Sequence, residues 1–311
     1  MSSTAAAESV RVRPRRNWGR TLVPYLLIGP TLLIVLSLMG FPIGLGAWLS
    51  VTDYKVGPWD RANFVGLENY LYILQLDEFW HALQVTAQLL VMCVVAEMSL
   101  GLGMALILNR QIRFIGFFRA ICIIPLMVPN VVSAMMWRMM MDPVGVLNYV
   151  LSPLGFYENQ VAWFASPDTV LWGFLIIDVW MMTPQVMILL LAGLQGIPQE
   201  VTEAATVDGA GPWQRFRSIT LPLLMPFFLV SFMLRCIQLI QVFDVIYITS
   251  RGGPADASLV LQMAAFRQGF TAGYFGIGTA YTFILSFIVL AVVLLISRRY
   301  IAAQQTVYGE N

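Results

Sequence analysis

Six long apolar runs divide this chain, and they constrain its fold more than any other feature. A helix rises about 1.5 Å per residue, so crossing about 30 Å of hydrocarbon takes about 20 residues. Because lipid offers the backbone no hydrogen bonds, such runs are expected to be helical. The sequence predicts an all-α membrane protein with six transmembrane helices near residues 22–48, 81–108, 120–141, 169–195, 223–250 and 276–297.

Composition supports this assignment to the membrane. Of the 311 residues, 59% are hydrophobic and only 11% are charged, whereas soluble domains carry about 25% charged residues. The first apolar run is longer than the core of a signal peptide, which has about 7–15 residues, so we expect an uncleaved first span. The net charge of +1 gives no indication of a nucleic-acid partner.

The placement of arginines predicts the orientation of the spans, because basic residues concentrate in the cytoplasmic loops of membrane proteins. Twelve lie in one set of tails and loops: Arg11, Arg13, Arg15, Arg16, Arg20, Arg110, Arg113, Arg119, Arg215, Arg217, Arg298 and Arg299. The opposite loops hold four basic residues, namely Lys55, Arg61, Arg251 and Arg267. We therefore expect cytoplasmic tails at 1–20 and 301–311, a six-span domain at 21–300, and a cytoplasmic loop at 196–222.

Groups that could perform catalysis or bind a metal are scarce. The single lysine, Lys55, is not part of a GxxxxGKS or GxxxxGKT sequence, so the chain has no phosphate loop of that kind. Any ATP and Mg²⁺ must then be bound by a partner chain. One histidine and three cysteines without metal-ligand spacing complete the inventory. We expect no catalytic residue, no metal site and no cofactor in this chain.

The loop at 196–222 is polar and has the signals of a helix, a turn and a second helix. Pro198 suits a first helical position, and Glu200 and Glu203 suit a first turn. Asp208 and Gly209 supply the break. A second short helix is expected to begin near Pro212 and to end at the next break, Pro222.

Charged residues inside predicted spans indicate internal contacts, since each costs about 2.5–3.5 kcal/mol at the bilayer centre when it faces lipid. Asp178 and Arg235 lie at comparable depths in spans four and five. They predict an ion pair, with Glu97 of span two as the competing partner of Arg235. Asp244, nine positions after Arg235 in the same predicted span, falls on the opposite helical face.

Polar side chains on three adjacent spans predict a hydrophilic path. They are Asn130 and Ser133 of span three, Gln185 of span four, and the stripe Arg235, Gln238 and Gln241 of span five. Amides can exchange hydrogen bonds with hydroxyl groups, so the path suits a neutral, hydroxyl-rich solute. The alternative is that these groups only hold helices together. Pro125, Pro129 and Pro184 are expected to break spans three and four near these positions.

The polar loop carries a pattern with a known parallel. The matching positions are Glu203-Ala204-Ala205, then Gly209 after three residues, then Ile219-x-Leu221-Pro222 after nine more. This pattern resembles the EAA loop of the membrane subunits of ATP-binding-cassette (ABC) importers. Two flanking segments look like the carbohydrate-uptake, maltose-type branch: FVGLENY at 64–70, and Phe243-Asp244 leading to Gly252-Gly253-Pro254.

This resemblance implies a permease subunit in a bacterial cytoplasmic membrane. Its implied partners are a second homologous permease subunit, two ATPase subunits that bind ATP and Mg²⁺, an extracytoplasmic solute-binding protein, and membrane lipid. The EAA stretch would be the coupling helix, with Glu203, Ala204, Ala205, Asp208 and Gly209 against the ATPase. The implied solute is a sugar, such as the disaccharides trehalose or maltose.

The sequence leaves open alternatives for the solute and for the class of protein. Within the importer class, glycerol phosphate or another polyol is the second candidate solute. A stand-alone secondary transporter is a different class, and it would call for inverted repeats that the sequence does not show. A membrane-embedded enzyme would require acid, base or metal groups at one depth, and no histidine accompanies the intramembrane carboxylates.

Overall fold

The computed structural model describes residues 18–57, 62–110, 113–151 and 161–308, with side chains from 25 to 301 outside the same gaps. Most of the arginine-rich tail, Arg61 and the end of the C-terminal tail lie outside the described residues. Within them the α-helices are α1 Trp18–Val35, α2 Phe41–Ser50, α3 Glu68–Gln75, α4 Asp77–Leu108, α5 Ile115–Ile123, α6 Asn130–Met140, α7 Val146–Leu151, α8 Pro167–Gln195, α9 Gln199–Val207, α10 Pro212–Arg215, α11 Leu221–Ile240, α12 Asp244–Thr249, α13 Leu261–Phe266 and α14 Phe275–Tyr308.

Five helical stretches in the described chain are long and apolar enough to cross a membrane. They are Tyr25–Ser50, Asp77–Leu108, Pro167–Gln195, Pro212–Ile240 and Phe275–Ile301. All but the last two residues of the first stretch belong to an N-terminal unit that ends at Trp48, and the other stretches belong to a second unit that begins at Leu49. The sixth candidate is a bent pair of helices, so the expected all-helical fold is confirmed for the described residues, with five or six candidate membrane helices.

The third expected span, 120–141, is not one helix. A 94° bend separates Ile115–Met127 from Asn130–Met140. Pro125 and Pro129 lie at the break, and neither has a backbone N–H with which to continue a helical hydrogen-bond ladder. The prediction that these prolines break the span is confirmed.

Pro184 behaves differently, because α8 continues through it from Pro167 to Gln195. The prediction of a break there was wrong. Pro184 is buried, and α8 packs against α4 along much of its length. Neighbouring helices hold a membrane helix together at a proline whose missing hydrogen bond would end a helix in water.

Span five begins earlier and ends earlier than the sequence indicates. The helix that begins at Pro212 runs through a π-helical turn, Phe216–Thr220, into α11, so the expected end at Pro222 was wrong. The wider turn lets the N–H of Leu221 donate to the carbonyl of Phe216, just before the proline that cannot donate. At the other end α11 stops at Ile240 rather than near residue 250.

A close helix contact in the core lies between α4 and α8 at Gly101. A Cβ atom on Gly101 would lie 2.7 Å from Cγ1 of Val186 and 3.2 Å from the backbone nitrogen of Met187. Neither Val186 nor the α8 backbone can move without disturbing the buried helix pair. Gly103, two residues further along α4, has no atom within 4 Å of the corresponding position.

We therefore expect Gly101→Ala to lower the stability of the folded protein by about 1–3 kcal/mol through overpacking. Gly103→Ala is the matched control, and it should leave stability unchanged or raise it, because alanine favours helix. Thermal unfolding of both purified variants in detergent checks this. Equal melting temperatures would show that the helices adjust to the added methyl group.

The segment at 64–70 anchors the loop that follows the first span. The amide nitrogen of Asn69 donates to the carbonyls of Ser50 and Thr52 at 2.9 and 2.8 Å. The hydroxyl of Tyr70 donates to that of Ser50 at 2.8 Å. These contacts give the FVGLENY segment a structural role.

A second anchored loop joins α12 to α13, where the guanidinium of Arg267 lies 2.7 Å from the carboxylate of Asp256. That hydrogen bond holds the pKa of Asp256 below its usual range.

Candidate functional site

A polar cavity of about 310 Å³ lies where α6, α8 and α11 meet the segment that leads into α12. Amide, carboxylate and guanidinium groups share its wall with thioether and aromatic side chains. The lining residues are Asn130, Asp178, Met181, Met182, Arg235, Gln238, Leu239, Gln241, Val242, Phe243, Asp244 and Val245.

Arg235 is the centre of a buried hydrogen-bonded group that we call the Arg235 cluster, consisting of Glu97, Asp178, Arg235 and Gln238. Nε and Nη2 of Arg235 donate to the two carboxylate oxygens of Glu97, at 2.5 and 2.8 Å. Nη2 also donates to Oδ2 of Asp178 at 2.6 Å, and Nη1 donates to Oε1 of Gln238 at 2.6 Å. The cluster joins α4, α8 and α11.

The sequence prediction treated Asp178 and Glu97 as competitors for Arg235, and the structure has both bound to it. The side chain of Glu97 is fully buried and that of Arg235 is 2% exposed, whereas that of Asp178 is 14% exposed. A charge taken out of water needs a partner and further hydrogen bonds. Two carboxylates and one amide supply these for Arg235, so four of its five N–H groups are used.

Four of the six predicted path residues line the cavity: Asn130, Arg235, Gln238 and Gln241. The other two, Ser133 and Gln185, are not in its lining. Ser133 is fully buried, and its hydroxyl has no hydrogen-bond partner among the described residues.

Asp244 lines the same cavity as Arg235, so its predicted position on the opposite face was wrong. The helical projection fails because α11 ends at Ile240 and the chain turns before α12 begins at Asp244. Gln241 likewise lies at the end of the helix and does not continue a helical stripe. Sequence reasoning missed Phe243 and Asp244 as lining residues, although the Phe243-Asp244 signature had marked them.

The 196–222 segment contains α9, a tight turn and the start of the helix that leads into α11. Gly209 has φ +80°, a conformation that favours glycine. The N–H of Ala210 donates to the carbonyl of Ala205 at 2.9 Å and closes the end of α9. Nη1 of Arg215 then bonds Oγ1 of Thr206 across the turn at 2.5 Å.

This segment presents a mixed surface. Glu203, Ala204, Asp208 and Gly209 are exposed, while Ala205 packs inward. Three large apolar side chains are also exposed beside them, namely Val201, Val207 and Trp213. Exposed apolar groups next to charged ones are typical of a surface that another protein covers.

Metal binding has no candidate site in the described part of the chain, where no group of three or more His, Cys, Asp or Glu side chains could hold an ion. The chemistry available in the cavity is hydrogen bonding by amides, carboxylates and one paired guanidinium.

Comparison with known proteins agrees with the membrane fold. The trehalose/maltose transport system permease protein MalF of Thermococcus litoralis is 42% identical over 85% of this chain and 88% of its own length. The trehalose transport system permease protein SugA of Mycobacterium tuberculosis is 29% identical over 86% of each chain. A bacterial ABC transporter involved in the import of the acidic polysaccharide alginate shares the fold, with a TM-score of 0.77. The match covers 92% of this chain and 98% of that chain, and the two sequences are 23% identical.

The family of binding-protein-dependent transport system inner membrane components matches residues 97–306. That range holds the whole Arg235 cluster, the cavity lining and the 196–222 segment. Because the match covers more than half of the chain, this protein belongs to the family of inner membrane components of binding-protein-dependent transport systems.

Proposed function

We propose that this chain is a permease subunit of an ABC importer and forms half of the translocation path for a neutral sugar, most simply a disaccharide. A second homologous permease subunit forms the other half. Two separate ATPase subunits bind ATP and Mg²⁺, and an extracytoplasmic solute-binding protein delivers the solute. Family membership and relatives named as trehalose or maltose permeases support this assignment.

The cavity around the Arg235 cluster is the observation that carries the proposal. Its volume of about 310 Å³ is at the lower end of small-molecule sites, about 300–1,000 Å³. Amides of Asn130, Gln238 and Gln241 can both donate to and accept from hydroxyl groups, and Asp178 and Asp244 can accept from them. The ring of Phe243 offers an apolar surface to the C–H face of a sugar. This combination suits a neutral solute rich in hydroxyl groups.

Charge separates a sugar from glycerol phosphate, the second candidate solute. A phosphate ester calls for free arginine or lysine donors. Arg235 is the only cationic residue in the described cavity lining, and it is already bound by two carboxylates. Asp244 adds a third carboxylate nearby. The site therefore favours a neutral solute, and an uncharged polyol is the remaining alternative.

The 196–222 segment is the proposed contact with the ATPase, with both chain termini on the same, cytoplasmic side. Glu203 and Asp208 would meet basic groups, and the small, exposed side chain of Ala204 would allow close approach, whereas Ala205, also predicted as a contact, packs inward and would support α9 from behind. Exposure of Val207 and Trp213 beside them supports a covered surface. The proposed domain organisation retains the cytoplasmic tails at 1–20 and 301–311 around the six-span domain at 21–300.

One helix links this segment to the cavity, which gives the coupling a physical route. The stretch Pro212–Ile240 is helical from the 196–222 segment to Arg235 and Gln238. When the ATPases close on ATP, movement of the segment would tilt this helix and reposition the cavity wall. Rigid-body tilting of this kind lets ATP binding and solute binding bias the same two-state equilibrium.

Uptake by the reconstituted importer tests the proposal. Proteoliposomes containing both permeases, the ATPases and the binding protein should take up labelled trehalose or maltose only with ATP, and should not take up glycerol 3-phosphate. Solute uptake without the ATPases would indicate a secondary transporter. Preferential uptake of glycerol 3-phosphate would reject the sugar assignment.

A matched pair of amide variants tests the placement of the path. Gln238→Ala removes a cavity amide and is expected to raise the KM for sugar by about two- to tenfold, since a lost hydrogen bond costs about 0.5–1.5 kcal/mol. Gln185→Ala is the control, because Gln185 is not in the cavity lining. Equal losses in both variants would place the path along all the predicted polar positions, Gln185 included, instead of at this cavity.

A further inference from the structure

The Arg235 cluster carries an inference about which solutes the cavity rejects. Glu97 is fully buried and is not part of the cavity lining. Arg235 is part of the lining, and both carboxylate oxygens of Glu97 accept N–H groups from it. We propose that Glu97 is a specificity-determining residue that excludes anionic solutes by occupying the guanidinium of Arg235. The inference rests on the proposed function, in which this cavity receives the solute.

The donor count of Arg235 explains the exclusion. Phosphates and carboxylates bind arginine most strongly through two parallel N–H groups. Nε and Nη2 are bound to Glu97, and the second N–H of Nη2 is bound to Asp178. Nη1 donates one N–H to Gln238, so a single N–H remains. An incoming anion finds no two adjacent donors.

The charge balance acts in the same direction. Two carboxyl side chains, those of Glu97 and Asp178, lie against the single guanidinium of Arg235. The carboxylate of Asp244 lies in the same cavity wall, and its side chain has no hydrogen bond or ion pair among the described residues. An anionic solute would therefore face the carboxyl groups of Asp178 and Asp244 in a poorly screened site, whereas a neutral solute can donate hydrogen bonds to them.

The same contacts orient the neutral donors of the cavity. Because Oε1 of Gln238 accepts from Nη1 of Arg235 at 2.6 Å, the amide nitrogen of Gln238 is left to donate to a solute oxygen. Glu97 acts on this geometry only through Arg235, so it is a positioning residue. Arg235 thus contributes to the site by orienting an amide, while most of its own N–H groups are occupied by Glu97 and Asp178.

Two variants with the same change in formal charge test the inference. Glu97→Gln and Asp244→Asn each replace one carboxyl group with an amide, but only the first takes an acceptor oxygen away from Arg235. Binding of trehalose and of trehalose 6-phosphate to the purified permease–ATPase complex gives a selectivity ratio for each protein. Glu97→Gln should lower the preference for the neutral sugar by about tenfold or more, since a hydrogen bond to a charged group is worth about 1.5–3 kcal/mol. Asp244→Asn should lower it only a few-fold.

Inorganic sulfate supplies a readout that does not depend on the identity of the solute. At matched ionic strength, sulfate relative to chloride should raise the melting temperature of the Glu97→Gln complex more than that of the wild type or of Asp244→Asn. If the wild type binds neither sugar, the proposed sugar function fails, and the sulfate response alone then decides the role of Glu97.

The inference is overturned if Glu97→Gln gains no anion binding by either measurement, or if it behaves as Asp244→Asn does. If Glu97→Gln does not assemble, Asp178→Ala takes its place, because it leaves the one-to-one pair of Glu97 and Arg235 and removes the acceptor of the second N–H of Nη2. It should shift the same two measurements in the same direction. Failure of that folded variant to do so rejects the proposal.

Discussion

Arg235→Met is expected to prevent accumulation of the folded protein. The substitution leaves the carboxylate of Glu97 fully buried without a cation, and breaking a buried ion pair in this way costs about 3–5 kcal/mol. That is a large part of the total stability of most proteins, about 5–15 kcal/mol. The measurement is the monodisperse fraction on size-exclusion chromatography in detergent, together with the melting temperature of whatever protein remains.

The double variant Glu97→Met/Arg235→Met is the control. It replaces the buried pair with apolar side chains of similar length, and such replacements are often neutral or stabilising. Asp178 would stay unpaired, but it lines the cavity and is reached by water. We expect assembly to return while selectivity for solute does not. Normal assembly of Arg235→Met alone would show that Glu97 does not depend on Arg235 for its charge balance.

Exchange of charges between only two members of the cluster should not restore assembly. Asp178→Arg/Arg235→Asp would preserve a pair between α8 and α11, but Glu97 would then face a carboxylate at position 235. A simple two-residue pair would be rescued by this exchange. Successful rescue would therefore reduce Glu97 to a minor contact of the cluster.

The transmembrane helices could be predicted from sequence because the membrane imposes length and apolarity on each of them. The positions where these helices bend or end were harder to predict from sequence. Pro125 and Pro129 correctly predicted the bend in the third span. Pro184 lies within a continuous helix, because packing decides whether a proline breaks a buried helix. The end of α11 at Ile240 has neither proline nor glycine beside it, and only the fold produces the turn before Asp244.

The candidate site shows the same division. Depth along each span correctly brought Asp178 and Arg235 together, since depth follows from residue counts. The rotation of each helix about its axis does not follow from residue counts. Glu97 was therefore treated as a competitor of Asp178, although both bind Arg235. Asp244 was misplaced for a related reason, because a 3.6-residue projection is valid only while the helix continues.

The turn between α9 and the helix that leads into α11 gives the second large prediction. Gly209→Val is expected to reduce ATP-driven uptake by about tenfold or more, because a β-branched residue at φ +80° costs about 1–3 kcal/mol of backbone strain. No neighbouring atom lies within 4 Å of the added Cβ, so the effect comes from the turn alone. ATP hydrolysis by the assembled complex should continue, but it should lose its dependence on the binding protein and solute.

Gly211→Ala is the matched control, since Gly211 has an ordinary φ of −66° and an equally open surrounding. Glu203→Lys should reproduce the uncoupling by placing a positive charge where a basic group of the ATPase is expected, and Glu200→Lys, one turn earlier on α9, is its control. Because Pro212–Ile240 is one helical stretch, a distorted turn would change how movement of α9 reaches Arg235. Normal coupling in both Gly209→Val and Glu203→Lys would place the ATPase contact elsewhere on the chain.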